Sequence, residues 1–457
     1  PELFVEGHVM STFGEFKRSA RPDNPGSDNG HPHLGNSLAL ESLTIAGIEQ
    51  RIIVIGAGAA GIMASWRAAT LGARVTLIEK TARVGTKILI SGGGKCNICH
   101  DGPMEEVLRA FRPEEARFIR PSCYRFPNTE IVKMLTSKGL KVYTRPDGRI
   151  FPSEGTAKDV VGILKTYLVR SKVDLQMETP VTNVVRTESG FEVTTTRGTW
   201  SGTHLIISTG GSSYPNSGTT GDGWPWVKAL GHTVVPVRAA LAPINLVRDD
   251  MDPRAGIALR DVVLKARAGK VFAKWRGDLL FTHRGISGPC ALGISREVTE
   301  RLESMPVDLE VDLTPDQNPE ELGHDFAEWL RKNPKKRVSA YLEGLVPNNL
   351  IGELAGAANL GETTGANLPA KSRNRLLEVL KGWPLGRVKQ VPLDKGECVA
   401  GGVSLDEVNP QSMESKIVPR LYLCGELLDI AGPVGGYNLQ AAFATGYVAG
   451  ESAAHST

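Results

Sequence analysis

The feature that most constrains this chain is a glycine-rich turn, Gly56-Ala57-Gly58-Ala59-Ala60-Gly61. It sits between the β-branched run Arg51–Ile55 and the alanine-rich stretch Ala59–Leu71. The first reads as a buried strand, and the second as a helix that Gly72 stops. Arg74–Glu79 reads as the next strand, so the segment opens as a βαβ unit of about thirty residues. In such a unit Gly56 permits a tight turn, Gly58 lets the backbone approach a pyrophosphate, and Gly61 lets helix and strand pack closely. Ala59 and Ala60 begin the helix, whose free N–H groups and partial positive charge favour phosphate. A lone Gly-x-Gly-x-x-Gly is a weak signal. Here Glu79 ends the second strand, 18 residues past Gly61, with Lys80 beside it. That carboxylate suits two ribose hydroxyls and repels a 2′-phosphate, so the context points to a dinucleotide.

At 457 residues the chain exceeds one ordinary domain. After Thr209-Gly210-Gly211 the texture changes: residues 233–313 carry short β-like runs and 319–380 a helical pattern. From Gly401 onward the glycine-rich apolar character returns. We therefore expect an α/β fold in which residues 51–215 and 399–457 form one nucleotide-binding domain. An insert separates them, with a β-rich part at 216–318, a helical part at 319–382 and a return to the β part at 383–398. Within the first segment, 104–120 and 128–139 read as helices and 173–207 as one small sheet. Residues 1–50 lack a signal-peptide core and read as a disordered tail or extension. A net charge of +3 neither demands nor excludes nucleic acid. No apolar run reaches the roughly 18 residues that span a bilayer.

Two further glycine clusters bear on the ligand. Gly85-Thr86-Lys87 leads through a loop to Ser91-Gly92-Gly93-Gly94-Lys95-Cys96-Asn97. Adjacent glycines let backbone pass close to a flat or charged group, and Lys87 or Lys95 could neutralise phosphate or face a flavin's N1–C2=O edge. Near the C-terminus, Leu421–Leu423 and Cys424 read as a strand ending in Gly425-Glu426, which suits a ribityl chain. Gly435-Gly436-Tyr437-Asn438-Leu439 opens an alanine-rich helix whose N-terminus would stabilise a reduced flavin. Together these imply non-covalent FAD. Val181 begins the strand expected beside the adenine, and Thr209, Gly210 and Gly211 are expected to approach the nucleotide.

Cys96-Asn97-Ile98-Cys99-His100 matches haem-attachment, redox and half-zinc patterns. Haem attachment needs an oxidising compartment, and zinc a second ligand pair of suitable spacing. A redox pair would accompany a second dinucleotide fingerprint, and none is present. We expect no metal site and no disulfide cycling. Six scattered cysteines fit a reducing, cytoplasmic setting.

The chain resembles the YhiN/BaiN-like flavoproteins, a branch of the glutathione-reductase-type FAD fold. The matching segments include IIVIGAGAAGIMAS, GTKILISGGGKCN, DGRIFPSEGTAKDVV, STGGSSYPNSGTTGDG, FTHRGISGPCAL and AGGVSLDEVNPQSMESKIVPRLYLCGELLDIAGPVGGYNLQAAFATGYVAG, which run from about Arg51 to the end. The resemblance implies a Rossmann-type FAD domain interrupted by a β-barrel part and an α-helical part. Members are called aminoacetone oxidase, bile-acid-pathway reductase and ribosomal RNA dihydrouridine synthase. Cys99-His100 departs from the family's usual Thr-Asn, so no role for that pair is carried over.

On the substrate side, His283 and Arg284 in FTHRGISGP suggest a proton donor and an anion clamp. The basic run Arg331-Lys332-Asn333-Pro334-Lys335-Lys336-Arg337 suits RNA phosphates or a solvated loop. The first expectation is a reductase of an activated C=C bond, in a small molecule or in ribosomal RNA, with NAD(P)H as transient donor. An FAD-dependent amine oxidase using O2 is the alternative. An RNA-binding or assembly protein merely stabilised by FAD is a third reading.

Overall fold

Strands buried on both faces need apolar residues at every position, not every second one. Ile52–Ile55, His204–Ile207 and Leu421–Leu423 are buried throughout. In the computed structural model, which describes residues 50–456, they lie side by side in a five-stranded sheet, with Leu421–Leu423 at its edge. Its order is Leu421–Leu423, His204–Ile207, Arg51–Ile55, Arg74–Ile78, Asp174–Gln176, with every pair parallel. The expected tail, save Gln50, lies outside the described residues.

Residues 173–207 do not form one sheet, as the alternation suggested. Their two ends join the central sheet in parallel, and only Val181–Arg186, Phe191–Thr195 and Gly198–Gly202 make an antiparallel meander. The apolar run at 204–207 requires cover on both faces, whereas 181–186 is half exposed. The expected helix 104–120 is two helices, Met104–Arg109 and Pro113–Arg125. Pro113 lacks an N–H to continue the first helix and instead starts the second. Within the loop expected at 85–97, Thr86–Ile90 is helical and Ser91–Gly94 is a tight turn.

The first helix, Ala59–Thr70, packs on the last, Tyr437–His455. The contact is backbone to backbone: a Cβ at Gly446 or Gly450 would fall on the carbonyl of Ala60 or Ala64.

Between residues 244 and 390 the chain builds a closed six-stranded barrel. Its strands run in the order Ile244–Leu246, Gly285–Ser287, Lys270–Thr282, Ala258–Ala268, Asp308–Asp312, Trp383–Gln390. Helices Pro319–Lys332, Asn348–Ala357 and Ala370–Lys381 leave and rejoin the barrel between its last two strands in sequence. Barrel and helices share a core that includes Phe281, Phe326, Leu342 and Trp383, separate from the core under the parallel sheet. A two-stranded antiparallel ribbon, Val234–Ala240 with Cys398–Val403, carries the chain out to the barrel and back.

Candidate functional site

Ligands of open parallel sheets bind beyond the carboxyl ends of the strands. Here the ends of four parallel strands, at Gly56, Glu79, Ser208–Gly210 and Gly425–Glu426, open into one cavity of about 300 Å³. The turn at Gly56 has φ +99°, and a Cβ there would come within 2.7 Å of the Ser208 carbonyl oxygen, so only glycine fits. Gly58 has open space around its Cβ position, on the side facing the cavity. The N-termini of the first and last helices meet at this cavity through Gly58–Ala60 and Gly436–Leu439, with no side chain capping either. Their unpaired N–H groups and aligned dipoles make the cavity attractive to anions.

The carboxylate of Glu79 accepts the amide N–H of Ala57 at 2.7 Å and that of Thr81 at 2.8 Å. It thereby fixes the turn and stands at one end of the cavity. Lys87 reaches Glu426 at 2.6 Å and Ser213 at 2.9 Å, while Glu426 also accepts the Val399 amide at 3.0 Å. This cluster ties both halves of the nucleotide unit to the ribbon. Asn438 closes the loop before the last helix, exchanging two bonds with Gly432 at 2.8 and 2.9 Å. Asn97 lines the cavity with a buried Oδ1 that has no partner among the described residues. It is an acceptor without its donor. Such an atom, two uncapped helix ends and glycines whose faces are bare suit a flavin dinucleotide.

Of the residues expected at the cofactor, Gly56, Gly58, Ala59, Ala60, Glu79, Lys87, Ser91, Gly92, Asn97, Thr209, Gly210, Gly425, Glu426, Gly436, Asn438 and Leu439 line this cavity. Others do not. Gly61 faces Gly56 and Ser208 inside the turn, and Gly211 packs against Val399 and Glu426. Lys80 turns away to Asp222 and Thr220. Gly93, Gly94 and Lys95 sit on the outer side of their turn, and Lys95 is exposed. Cys96 is buried behind it, with its thiol pushed up to about 12 by burial. Cys99 is buried too, its thiol raised further by the same cause. All six cysteines are unpaired. Val181 belongs to the meander, opposite Thr195. Tyr437 stacks on His100 with ring centroids 4.5 Å apart, and His100 bonds the Gly435 carbonyl at 3.2 Å. The pair buttresses the glycine turn from behind.

His283 and Arg284 lie outside the cavity. They form the exposed tip between strands Lys270–Thr282 and Gly285–Ser287. Their carbonyls accept the amides of Asp252 at 3.0 Å and Leu246 at 2.9 Å, so backbone bonds pin the tip to the barrel rim while the side chains face water. In the basic run, Arg331 and Lys332 pair with Glu328 and Arg337 with Glu362; Lys335 and Lys336 have no ion pair among the described residues.

The cavity also gathers residues that the motifs did not single out. Arg149 and Phe151 come from a three-stranded sheet, Tyr214 from the loop after Gly211, and Leu241 and Glu397 from the barrel end of the ribbon. Arg149, Phe151 and Tyr214 fall in segments that carry the family resemblance, which was the available signal. Leu241 and Glu397 had none. Glu397 is an exposed residue whose side chain opens onto the cavity, with protein crowded around it. Burial raises its carboxyl above the ordinary range, against the opposing fields of Lys87 and Arg149.

A family model described as the HI0933-like protein Rossmann domain matches residues 50–452. A ribosomal RNA dihydrouridine synthase of Haemophilus influenzae is 30% identical over 405 residues, 86% of this chain and 96% of that protein. A 3-dehydro-bile acid delta(4,6)-reductase of Clostridium scindens is 31% identical over 408 residues, 88% and 99% of the two chains. Among solved structures, a 3-ketosteroid delta1-dehydrogenase from Sterolibacterium denitrificans superposes with a TM-score of 0.51 at 14% identity, covering 88% of this chain and 99% of that one. That likeness is one of fold.

Proposed function

The chain belongs to the HI0933-like Rossmann-domain family of FAD-dependent oxidoreductases, and from that premise we propose that it saturates a C=C bond conjugated to a carbonyl group. The nucleotide-binding domain is assigned to residues 51–215 and 399–457, and the insert to 216–398. The pyrophosphate is assigned to Gly56–Ala60, the ribose to Glu79, and the flavin half to Lys87, Ser91–Gly92, Asn97, Thr209–Gly210, Gly425–Glu426 and Gly436–Leu439. Bound there, FAD supplies a carrier of two electrons and a hydride. The chain's own groups orient the substrate, exclude water and handle the proton.

One observation carries the reading: a single cavity runs from the strand ends of the nucleotide half to the ribbon end of the insert, where Glu397, Arg149 and Leu241 stand. A dinucleotide half and a half with an acid and a cation are what reduction of a conjugated alkene requires. The two relatives support the substrate class. Making dihydrouridine and reducing a delta(4,6) bile-acid intermediate each add two hydrogens to a C=C bond activated by a carbonyl. A reduced nicotinamide nucleotide is the assigned donor, docking transiently and without a dinucleotide fold of its own. The setting is assigned as cytoplasmic, in keeping with six unpaired cysteines. No described helix is long and apolar enough to cross a membrane.

The test is anaerobic reduction of the purified protein by NADH or NADPH, then mixing with a cyclic enone, unmodified large-subunit ribosomal RNA, a primary amine or O2. Fast reoxidation by the enone or the RNA supports the reading. An amine that reduces the flavin, with fast reoxidation by O2 alone, replaces it by an amine oxidase. If RNA is the acceptor, neutralising Lys335 and Lys336 lowers its affinity and the steepness of its salt dependence; an unchanged salt slope removes that loop from the substrate site.

A further inference from the structure

Three carboxylates line the cavity: Glu79, Glu426 and Glu397. Two are committed. Glu79 holds the amides of Ala57 and Thr81, and Glu426 holds Lys87 and the Val399 amide. Glu397 has no side-chain hydrogen bond or ion pair among the described residues. Its backbone, by contrast, is fixed. The Glu397 amide donates to the Leu241 carbonyl at 2.9 Å across the end of the ribbon. Leu241 is held at φ +50°, in the left-handed region that a leucine rarely adopts. Strain of this kind persists only where the surroundings over-determine it, and it clusters at functional sites. Here it turns the ribbon so that both side chains line the cavity. Leu241 also belongs to a small apolar cluster with Ala240, Cys398, Ala400 and Ala431, packed against Val434.

Arg149 lines the same cavity, from the strand Arg149–Pro152. Asp147 takes its Nε and one terminal nitrogen, at 2.9 and 2.5 Å. Nη1 has no partner among the described residues and is open to a ligand oxygen. Lys87 is bound to Glu426 and Ser213 and so is unavailable for that role.

We propose that Glu397 gives the proton to the substrate carbon and that Arg149 receives the substrate's carbonyl oxygen, an assignment that rests on the reductase reading above. The step balances as follows. The C=C π bond breaks; a hydride, two electrons drawn ultimately from the reduced nicotinamide nucleotide, forms a C–H bond at the carbon remote from the carbonyl. The proton of the Glu397 carboxyl forms the second C–H bond, leaving a carboxylate that water reprotonates. Arg149 balances the negative charge that gathers on the carbonyl oxygen in between. The charged and titratable groups facing Glu397 are Lys87 and Arg149, with Cys398 beside it and Glu426 behind Lys87. The two cations limit how far burial can raise its carboxyl, so the acid form is lost as pH climbs.

The experiment uses holoprotein reduced anaerobically and mixed with a cyclic enone, with ferricyanide as the reference acceptor because it needs no proton on carbon. In Glu397→Gln, reoxidation by the enone, taken relative to ferricyanide, falls about 100-fold or more. Glu397→Asp recovers part of the loss. The wild-type rate declines as pH rises, and that limb is absent in the Gln variant. A readout independent of turnover is infrared titration of the oxidised holoprotein. A protonated-carboxyl band that persists above the ordinary carboxylate range is present in wild type and missing in Glu397→Gln. Arg149→Gln lowers kcat for the enone, because charge on the carbonyl oxygen is no longer balanced, and raises KM through the lost contact. Equal relative rates in wild type and Glu397→Gln, or an unchanged infrared band, overturn the role of Glu397 alone. An unchanged kcat in Arg149→Gln overturns the role of Arg149. If no conjugated alkene reoxidises the wild-type protein at all, the reductase reading falls and takes this assignment with it.

Discussion

Gly446 of the last helix lies against the carbonyl of Ala60 in the first, so closely that a Cβ on Gly446 would come within 2.1 Å of that oxygen. The contact sets how near the two helices approach, and with it how closely their N-termini converge on the cavity. Gly446→Val separates them. Overpacking of this kind costs about 1–3 kcal/mol, and the loss should appear in denaturant unfolding of the FAD-free protein. FAD affinity should fall with it, by roughly tenfold or more for a shift of that size. Wild-type affinity in a folded Gly446→Val protein would mean that the helix spacing does not govern the cofactor site.

Gly58 and Gly56 should separate function from folding. The Cβ position of Gly58 is empty in the protein, whereas that of Gly56 collides with Ser208 at a φ of +99°. Gly58→Ala should leave stability within about 0.5 kcal/mol of wild type yet weaken FAD binding, because the methyl group enters the space assigned to the pyrophosphate. Gly56→Ala should destabilise the protein itself. Calorimetry of the FAD-free forms and fluorescence titration with FAD distinguish the two.

Truncating Glu79 to Ala should weaken FAD by about 1–3 kcal/mol, the cost of leaving polar groups unpaired. The Ala57 and Thr81 amides lose their acceptor in the same change. Part of the effect should therefore persist in the thermal stability of the FAD-free protein. An unaltered dissociation constant for FAD would remove the carboxylate from the ribose site.

The cysteines should behave as packing residues. Burial holds the Cys96 thiol near 12 and raises Cys99 and Cys424 as well, so thiolate is scarce at neutral pH. A thiol reagent should label them slowly in the folded protein and quickly in denaturant. Partial reduction should give no charge-transfer band, and Cys99→Ser should leave the flavin spectrum unchanged. A long-wavelength band lost in that variant would establish thiol–flavin chemistry instead.

His204 makes stability pH-dependent. Burial, with Arg420 nearby, lowers its imidazole from 6.5 to about 4. Between those values the unfolded chain binds a proton that the folded protein refuses, so the stability contribution is complete above about 6.5 and lost as pH falls toward 4. Urea midpoints measured across that window should drop for wild type and drop less for His204→Asn. Parallel curves would show that other groups carry the acid sensitivity.

The nucleotide end of the site was legible before any coordinates because its chemistry is local. Arg51 to Glu79 contains a strand, a turn, a helix N-terminus and an acid in one continuous stretch, and Gly436–Leu439 repeats the turn-and-helix device near the C-terminus. Short-range hydrogen bonds and the special φ of Gly56 constrain residue type directly, and such constraints are written in spacing. Errors arose where local pattern was ambiguous. Period-two alternation at 173–207 could not say which strands would leave the meander for the parallel sheet, and a glycine run could not say which of its members face inward. The pattern FTHRGISGP marked a real turn, but a barrel hairpin points His283 and Arg284 outward.

The sequence by itself therefore determined the fold class and the family, and its local turn-and-helix motifs pointed to residues that line the cavity at the strand ends. The tertiary structure alone decided the rest of that lining. Arg149 and Glu397 reach one cavity from a short sheet and from the end of a ribbon, and Leu241 joins them only because the ribbon's antiparallel pairing aligns 234–240 with 398–403. Neither strand's periodicity encodes its partner or its register. That approach is set by the long-range pairing of the ribbon, which has no local imprint.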